Sequence, residues 1–200
     1  MTHEALKDYT GAKMGMWLFL FTEILLFGGL FVLFAVYLAR YPVGFHAGSL
    51  TLSVPFGAAN TVVLITSSLT MALAVSAIQY HDMKRTMLFL GLTVGFAGVF
   101  LVNKYFEWSA KIHHGIYPGS DLMTDMEHGK AVFYAMYYTM TGLHGLHVII
   151  GMCVIGWVMW LVHVGKVTGD DFVTLENAGL YWHLVDLVWI YLFPLFYLVT

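Results

Sequence analysis

Charge is what this sequence has least of. Of its 200 residues only 10% are Asp, Glu, Lys or Arg, while 60% are hydrophobic. A water-soluble domain draws about a quarter of its residues from the charged set and needs them to cover its surface. The deficit points to lipid as the solvent. Cysteine is nearly missing too. Cys153 is the single one, which excludes an internal disulfide, a four-cysteine zinc or iron-sulfur centre built by this chain alone, and a C-x-x-C-H haem attachment. The longest basic cluster is Lys84-Arg85 and the net charge is −3, so no nucleic-acid partner is expected. A membrane β-barrel is also disfavoured, because the chain does not alternate apolar and polar residues over segments of about ten.

Long apolar stretches are what it has instead: residues 14–38, 56–80, 87–108, 132–162 and 178–199. Each meets the requirement of about 20 residues for a helix crossing a hydrocarbon core of about 30 Å. The expected fold is therefore all-α, a polytopic membrane protein whose residues 1–200 form a single five-helix bundle. The first stretch is too long for the apolar region of a signal peptide, contains Glu23, and has no small-residue cleavage site after it. It reads as a retained helix. The fourth, ~46 Å long at ~1.5 Å per residue, must tilt or extend beyond the bilayer. Its residues Val132 to Val162 contain no Asp, Glu, Lys or Arg.

Five spans leave the termini on opposite sides, which sorts the loops by alternation. Lys7, Lys13, Lys84, Arg85 and Lys166 fall on the N-terminal side, and Arg40, Lys111 and Lys130 on the other. The positive-inside rule then places the N-terminus in the cytoplasm and the C-terminus outside.

Ionisable residues inside spans are the informative ones, because a charge at a helix centre costs roughly 2.5 to 3.5 kcal/mol on insertion scales. Glu23, in "WLFLFTEILLF", lies near mid-membrane; it is either a proton-exchanging or headgroup-contacting acid, or a carboxyl hydrogen-bonded to a neighbouring helix. In "TGLHGLHVIIG", His144, His147 and Gly151 share one face by i, i+3, i+7 spacing, and Gly142 and Gly145 lie on an adjacent face where another backbone could approach. In "YWHLVDLVWIYL", His183 and Asp186 are three apart on one face and can partly neutralise each other. Imidazole ligates haem iron and copper, but bis-His haem ligation needs histidines on facing helices, so hydrogen-bonded polar contacts outweigh a metal site. Glu23, His144, His147, His183 and Asp186 form the candidate intramembrane polar cluster, with Glu23 bonded to His144 or His147 and joined by Asp186. Lys104, Glu107 and Lys111 can pair along one helix, as an interfacial ion pair beside Trp108. Asn60 and the Ser and Thr residues after it suit interhelical packing.

Several of these stretches together resemble subunit III of the haem-copper terminal oxidases. "WLFLFTEILLF" is similar to that family's Trp followed by a Ser-Glu or Thr-Glu pair, "NTVVLITSS" to its Asn-Thr segment ending in serines, and "NKYFEW" to its Lys and Glu-aromatic segment. "TGLHGLHVIIG" and "YWHLVDLVWIYL" are the most specific. The resemblance runs in order through all five spans. It implies a cofactor-free helical subunit without catalytic residues or metal, bound to a catalytic subunit I that carries haem and copper, with subunits II and IV as further partners, in the cytoplasmic (inner) membrane of a prokaryote. It also implies structural phospholipid in the bundle and support of proton uptake and sustained turnover. Trp17, Asn60, Lys104, Glu107 and Trp182 are candidate subunit or lipid contacts. Only the last five of the seven helices of the family's long form have counterparts here, which implies a fused or extended subunit I. Two other functions stay open: an accessory membrane subunit of nitric-oxide reductase, and a small haem-binding electron-transfer anchor. Cytochrome c and quinol are equally open as the electron donor of the complex.

Overall fold

The computed structural model describes residues 9–199, so Lys7 of the orientation argument lies outside the described residues. All regular structure among them is helical: α1 (Tyr9–Arg40), α2 (Pro42–Ser49), α3 (Val54–Gln79), α4 (Met83–His113), α5 (Asp121–Thr124), α6 (His128–His163) and α7 (Val173–Tyr197). Five of these, α1, α3, α4, α6 and α7, are long and apolar enough to cross a membrane. Most extend past the apolar stretches that announce them, because the i to i−4 hydrogen bonds continue into polar residues beyond the hydrocarbon layer. Helix α4, for example, begins four residues before the stretch 87–108, where the Asp82 side chain caps it by accepting from the Arg85 N–H at 3.0 Å. Helix α2 has no warning in the apolar pattern. Pro42 sets its first turn, since proline at that position sacrifices no helical N–H.

Helices α3 and α4 make the most extensive pair, joined by the tight turn at 80–82, and α7 packs between α3, α6 and α1. Helix α1 is peripheral. Its buried residues Leu20, Phe27 and Phe34 recur every seven positions, and half-buried Met16, Glu23, Leu30 and Phe31 flank them in one stripe, the opposite face being exposed. At the end of the bundle away from the N-terminus, edge-to-face rings tie four helices together: Phe34 to Phe45 at 5.1 Å, Phe34 to Phe196 at 5.0 Å and Phe45 to Phe133 at 5.5 Å between centroids. Such pairs add roughly 0.5–1.5 kcal/mol each beyond the area they bury.

Two glycines set how closely α2 docks on the start of α6. A Cβ on Gly44 would lie 2.6 Å from the Gly129 carbonyl carbon and 2.7 Å from the Lys130 nitrogen, both backbone atoms. On α6, a Cβ at Gly151 would meet the Trp182 ring at 2.8 Å. The pair singled out by spacing behaves differently. Gly142 faces only the Trp108 ring, and a Cβ added at Gly145 would have nothing within 4 Å, so no helix backbone closes on that face.

Candidate functional site

Glu23 lies on α1, one turn before Phe27, and faces α6. Its Oε2 is 2.9 Å from His147 Nε2, with both side chains largely buried. The second nitrogen of that ring fixes the proton inventory. His147 Nδ1 is 2.8 Å from the Leu143 carbonyl oxygen, and a carbonyl only accepts, so Nδ1 carries a hydrogen and donates. Nε2 then either accepts from a protonated Glu23 or, itself protonated, donates to the carboxylate. In both forms one proton lies between the two groups and the pair is neutral overall, which is how a carboxyl and an imidazole are tolerated at this depth. Tyr181 of α7 donates to the His147 carbonyl at 3.2 Å, so the pair joins α1, α6 and α7.

The other members of the candidate cluster lie apart from this pair. His144 is fully buried, its ring edge-on to Phe100 at 5.5 Å and tilted over Trp189 at 5.4 Å, and neither ring nitrogen has a hydrogen-bond partner among the described residues. One helical turn thus separates a bonded from an unbonded histidine, because i and i+3 differ by about 60° around the axis and that rotation carries His147 to α1 and His144 toward α4 and α7. His183 does not pair with Asp186. Its Nδ1 is 2.6 Å from the Ser68 Oγ on α3, and both carboxyl oxygens of buried Asp186 lack a hydrogen-bond partner among the described residues, although Ser68 is within polar reach. The mutual neutralisation expected from i, i+3 spacing fails because α3 supplies a better placed hydroxyl.

The hydroxyls of α3 act as acceptors for α7. Trp182 Nε1 donates to Ser67 Oγ at 2.8 Å and Trp189 Nε1 to Thr61 Oγ1 at 3.1 Å. Asn60 accepts from Asn103 Nδ2 at 2.9 Å, binding α3 to α4, and its own Nδ2 has no partner among the described residues. Trp17 is 61% exposed on the outer face of α1. Trp182, in contrast, is wholly buried and holds helices within the chain.

The densest polar site surrounds Lys104 and Glu107. Lys104 Nζ donates to Glu107 Oε2 at 2.9 Å, to Tyr137 Oη at 3.0 Å and to Tyr197 Oη at 3.1 Å. Tyr197 donates in turn to Glu107, 2.6 Å from Oε1. The Lys104 and Glu107 side chains are 9% and 7% exposed, so the pair is enclosed by protein instead of lying open beside Trp108. Its enclosure comes from Tyr137 of α6 and Tyr197 of α7, 33 and 93 residues from Lys104. Spacing gave no sign of either tyrosine or of Tyr181, whereas Ser68 is one of the α3 hydroxyls expected to make interhelical contacts. The phenol at the last residue of α7 was the one available signal, a hydroxyl at the end of an apolar helix.

Known proteins resemble this chain over nearly its whole length. The family model described as Cytochrome c oxidase subunit III matches residues 2–200. The chain belongs to that family. Cytochrome c oxidase subunit 3 of Synechocystis sp. is 32% identical over 185 residues, spanning 92% of this chain and 74% of the relative. Cytochrome c oxidase subunit 3 of Thermostichus vulcanus is also 32% identical, over 94% of this chain and 87% of the relative. A heme-copper oxidase subunit I+III of Aeropyrum pernix is 31% identical over 94% of this chain, which corresponds to 22% of that longer protein. As a subunit III family member this is a multi-pass membrane protein, and its polar residues are those of an enclosed bundle: one acid-imidazole pair between α1 and α6, one ion pair capped by two tyrosines, and a row of hydroxyls under the α7 indoles.

Proposed function

We propose that this chain is a non-catalytic membrane subunit of a haem-copper oxidase that binds the catalytic subunit I, stabilises it, and supports its proton uptake during sustained turnover. The observation that carries this reading is the family match over residues 2–200, and a relative that combines subunits I and III in one chain supports a direct contact with subunit I. Haem and copper belong to the partner, and this chain holds neither. Its side chains supply rigidity: Glu23 and His147 bind the peripheral α1 to the α6–α7 core. The outward face of α1, with Trp17, Leu18, Phe21 and Leu25 all more than half exposed, provides apolar surface for lipid or a partner helix. Subunits II and IV complete the complex, which lies in the cytoplasmic membrane with the N-terminus of this chain inside.

The test is purification of the complex through this chain from its native membrane, with identification of the accompanying chains and an absorption spectrum. Recovery of subunit I with its haem bands supports the reading. Haem bound to this chain after it is separated from all partners refutes it, and a nitric-oxide reductase as the copurifying catalytic chain reassigns it. In the same complex Glu23→Ala is expected to leave the haem spectrum unchanged while shortening the period over which turnover is sustained or loosening this chain from subunit I.

A further inference from the structure

Helix α4 buries two lysines seven residues apart, and only one of them has a counter-charge. Lys104 uses all three ammonium hydrogens on Glu107, Tyr137 and Tyr197. Lys111 is 8% exposed, and the one hydrogen bond it makes is long, 3.3 Å to the Thr51 carbonyl oxygen. Among the described residues no carboxylate lies within 4.0 Å of Lys111 Nζ. The one acid of α4, Glu107, has both oxygens engaged by Tyr197 and Lys104. A buried cation with spare hydrogens and no counter-charge is costly, so an acid brought to it from another chain is stabilising.

The surface around Lys111 is shaped for a polypeptide neighbour. Lys111 lies on the wall of a pocket of about 320 Å³ between the α2–α3 connection and α4, with Ser53 and His114 on its polar side and Phe56 and Phe106 on its apolar side. On the other flank of α4 a groove of about 780 Å³ runs between α4 and α6, lined in part by Tyr105, Gly142 and Gly145. A Cβ added at Gly145 would have nothing within 4 Å, so this groove is open to a neighbour. Tyr105 and Phe106, 70% and 61% exposed, stand as a ridge between the two hollows. A ridge flanked by grooves is the form in which one helix receives another. Exposed aromatics beside a deeply set charge are likewise the anatomy of an interface centre.

We infer that this face of α4 docks a transmembrane segment of a partner subunit, and that an Asp or Glu of that segment enters the smaller pocket and pairs with Lys111. One carboxylate supplies the single negative charge that α4 lacks here, because Lys104 and Glu107 already cancel. Its oxygens accept from the Lys111 ammonium and from the Ser53 hydroxyl on the pocket wall. Tyr105 and Phe106 then pack into the partner and keep water from the pair. The inference rests on the membrane-subunit reading above, and the two fail in different ways. Purification without subunit I overturns that reading, whereas a complex that copurifies without a Lys111 contact overturns only this one.

The experiment treats the intact complex, in mild detergent, with a membrane-permeant carbodiimide, which couples a lysine amine to a carboxylate in contact with it. Linked peptides are identified by mass spectrometry. Wild type is expected to give a link from Lys111 to an Asp or Glu of another chain. Lys111→Arg keeps the charge but cannot form the amide, so it is expected to lose the link and hold the partner. In Lys111→Met the partner is expected to dissociate at least about tenfold faster. No link from Lys111, a link to an acid of this chain, or equal partner retention by wild type and Lys111→Met overturns the inference. A link that appears only after phospholipid is stripped from the complex gives the lysine to a headgroup and overturns it too. The crosslink is read on wild type, so it decides the matter should Lys111→Met fail to assemble.

Discussion

Removing one charge from the Lys104–Glu107 pair is expected to be far worse than removing both. In Glu107→Gln, Lys104 keeps its ammonium inside the bundle but loses the carboxylate at 2.9 Å, and its two tyrosine neighbours carry no charge to replace it. With the side chains only 9% and 7% exposed, solvent screens little, and breaking a buried pair of this kind costs about 3–5 kcal/mol. That is roughly two to three and a half powers of ten in the folded population. Lys104→Met strands the acid instead. Tyr197 still donates to it, so a smaller loss of about 2–4 kcal/mol is expected. In the double variant Lys104→Met/Glu107→Gln no charge remains, the Met side chain fills the lysine stem volume, and the Gln carbonyl still accepts from Tyr197. What is lost is the pair itself and the cation-π contacts to Tyr137 and Trp189 at 5.0 and 5.2 Å, together about 1–2 kcal/mol. The two single losses therefore exceed the double loss by at least about 2 kcal/mol. Unfolding in mixed micelles titrated with a denaturing detergent, followed by tryptophan fluorescence, measures all four corners of the cycle. Additive single effects, or a Glu107→Gln loss below about 1 kcal/mol, would refute the buried-pair reasoning.

Other substitutions probe other parts of the bundle. His144→Leu is expected to cost less than about 1 kcal/mol because it removes a buried ring whose nitrogens are unpartnered among the described residues, whereas His147→Leu orphans Glu23 and costs about 1–3 kcal/mol; the same unfolding assay ranks them, and a reversed order counts against the geometry. Gly44→Ala must push α2 off the α6 backbone and is expected to destabilise by about 1–3 kcal/mol, seen as lower yield of folded chain after detergent extraction. Glu23→Gln retains an N–H that can donate to His147 Nε2, so it is expected to sustain turnover longer than Glu23→Ala in the assembled complex, and identical behaviour of the two variants would remove the hydrogen bond from the explanation.

Much of the architecture was legible in the order of residues alone. Runs of twenty or more apolar residues with almost no charge have one stable solution in lipid, the helix, because every backbone N–H and C=O must be satisfied within its own segment. All five spans follow from that, as does the need of Glu23, His144, His147, His183 and Asp186 for partners, each costly if left bare in hydrocarbon. Helix α2 was not legible, since eight residues of ordinary polarity between two spans carry no distinctive period. The partners of the polar residues were not legible either. Spacing on one helix pairs His183 with Asp186 and sets Lys104 beside Trp108, but it reports only which residues share a face.

What the sequence determined by itself was therefore the solvent, the number of membrane-crossing helices, the family, and the set of residues that had to find partners. Tertiary structure decided who those partners are. His147 rather than His144 meets Glu23, Ser68 rather than Asp186 meets His183, and Tyr137 and Tyr197 close over Lys104 while Lys111 is left nearly bare. The reason is rotational. A hydrogen bond tolerates a few tenths of an ångström, and about 100° of turn per residue sends adjacent polar groups toward different neighbouring helices. Which neighbour waits there depends on how the helices pack against one another, and no single helix contains that information.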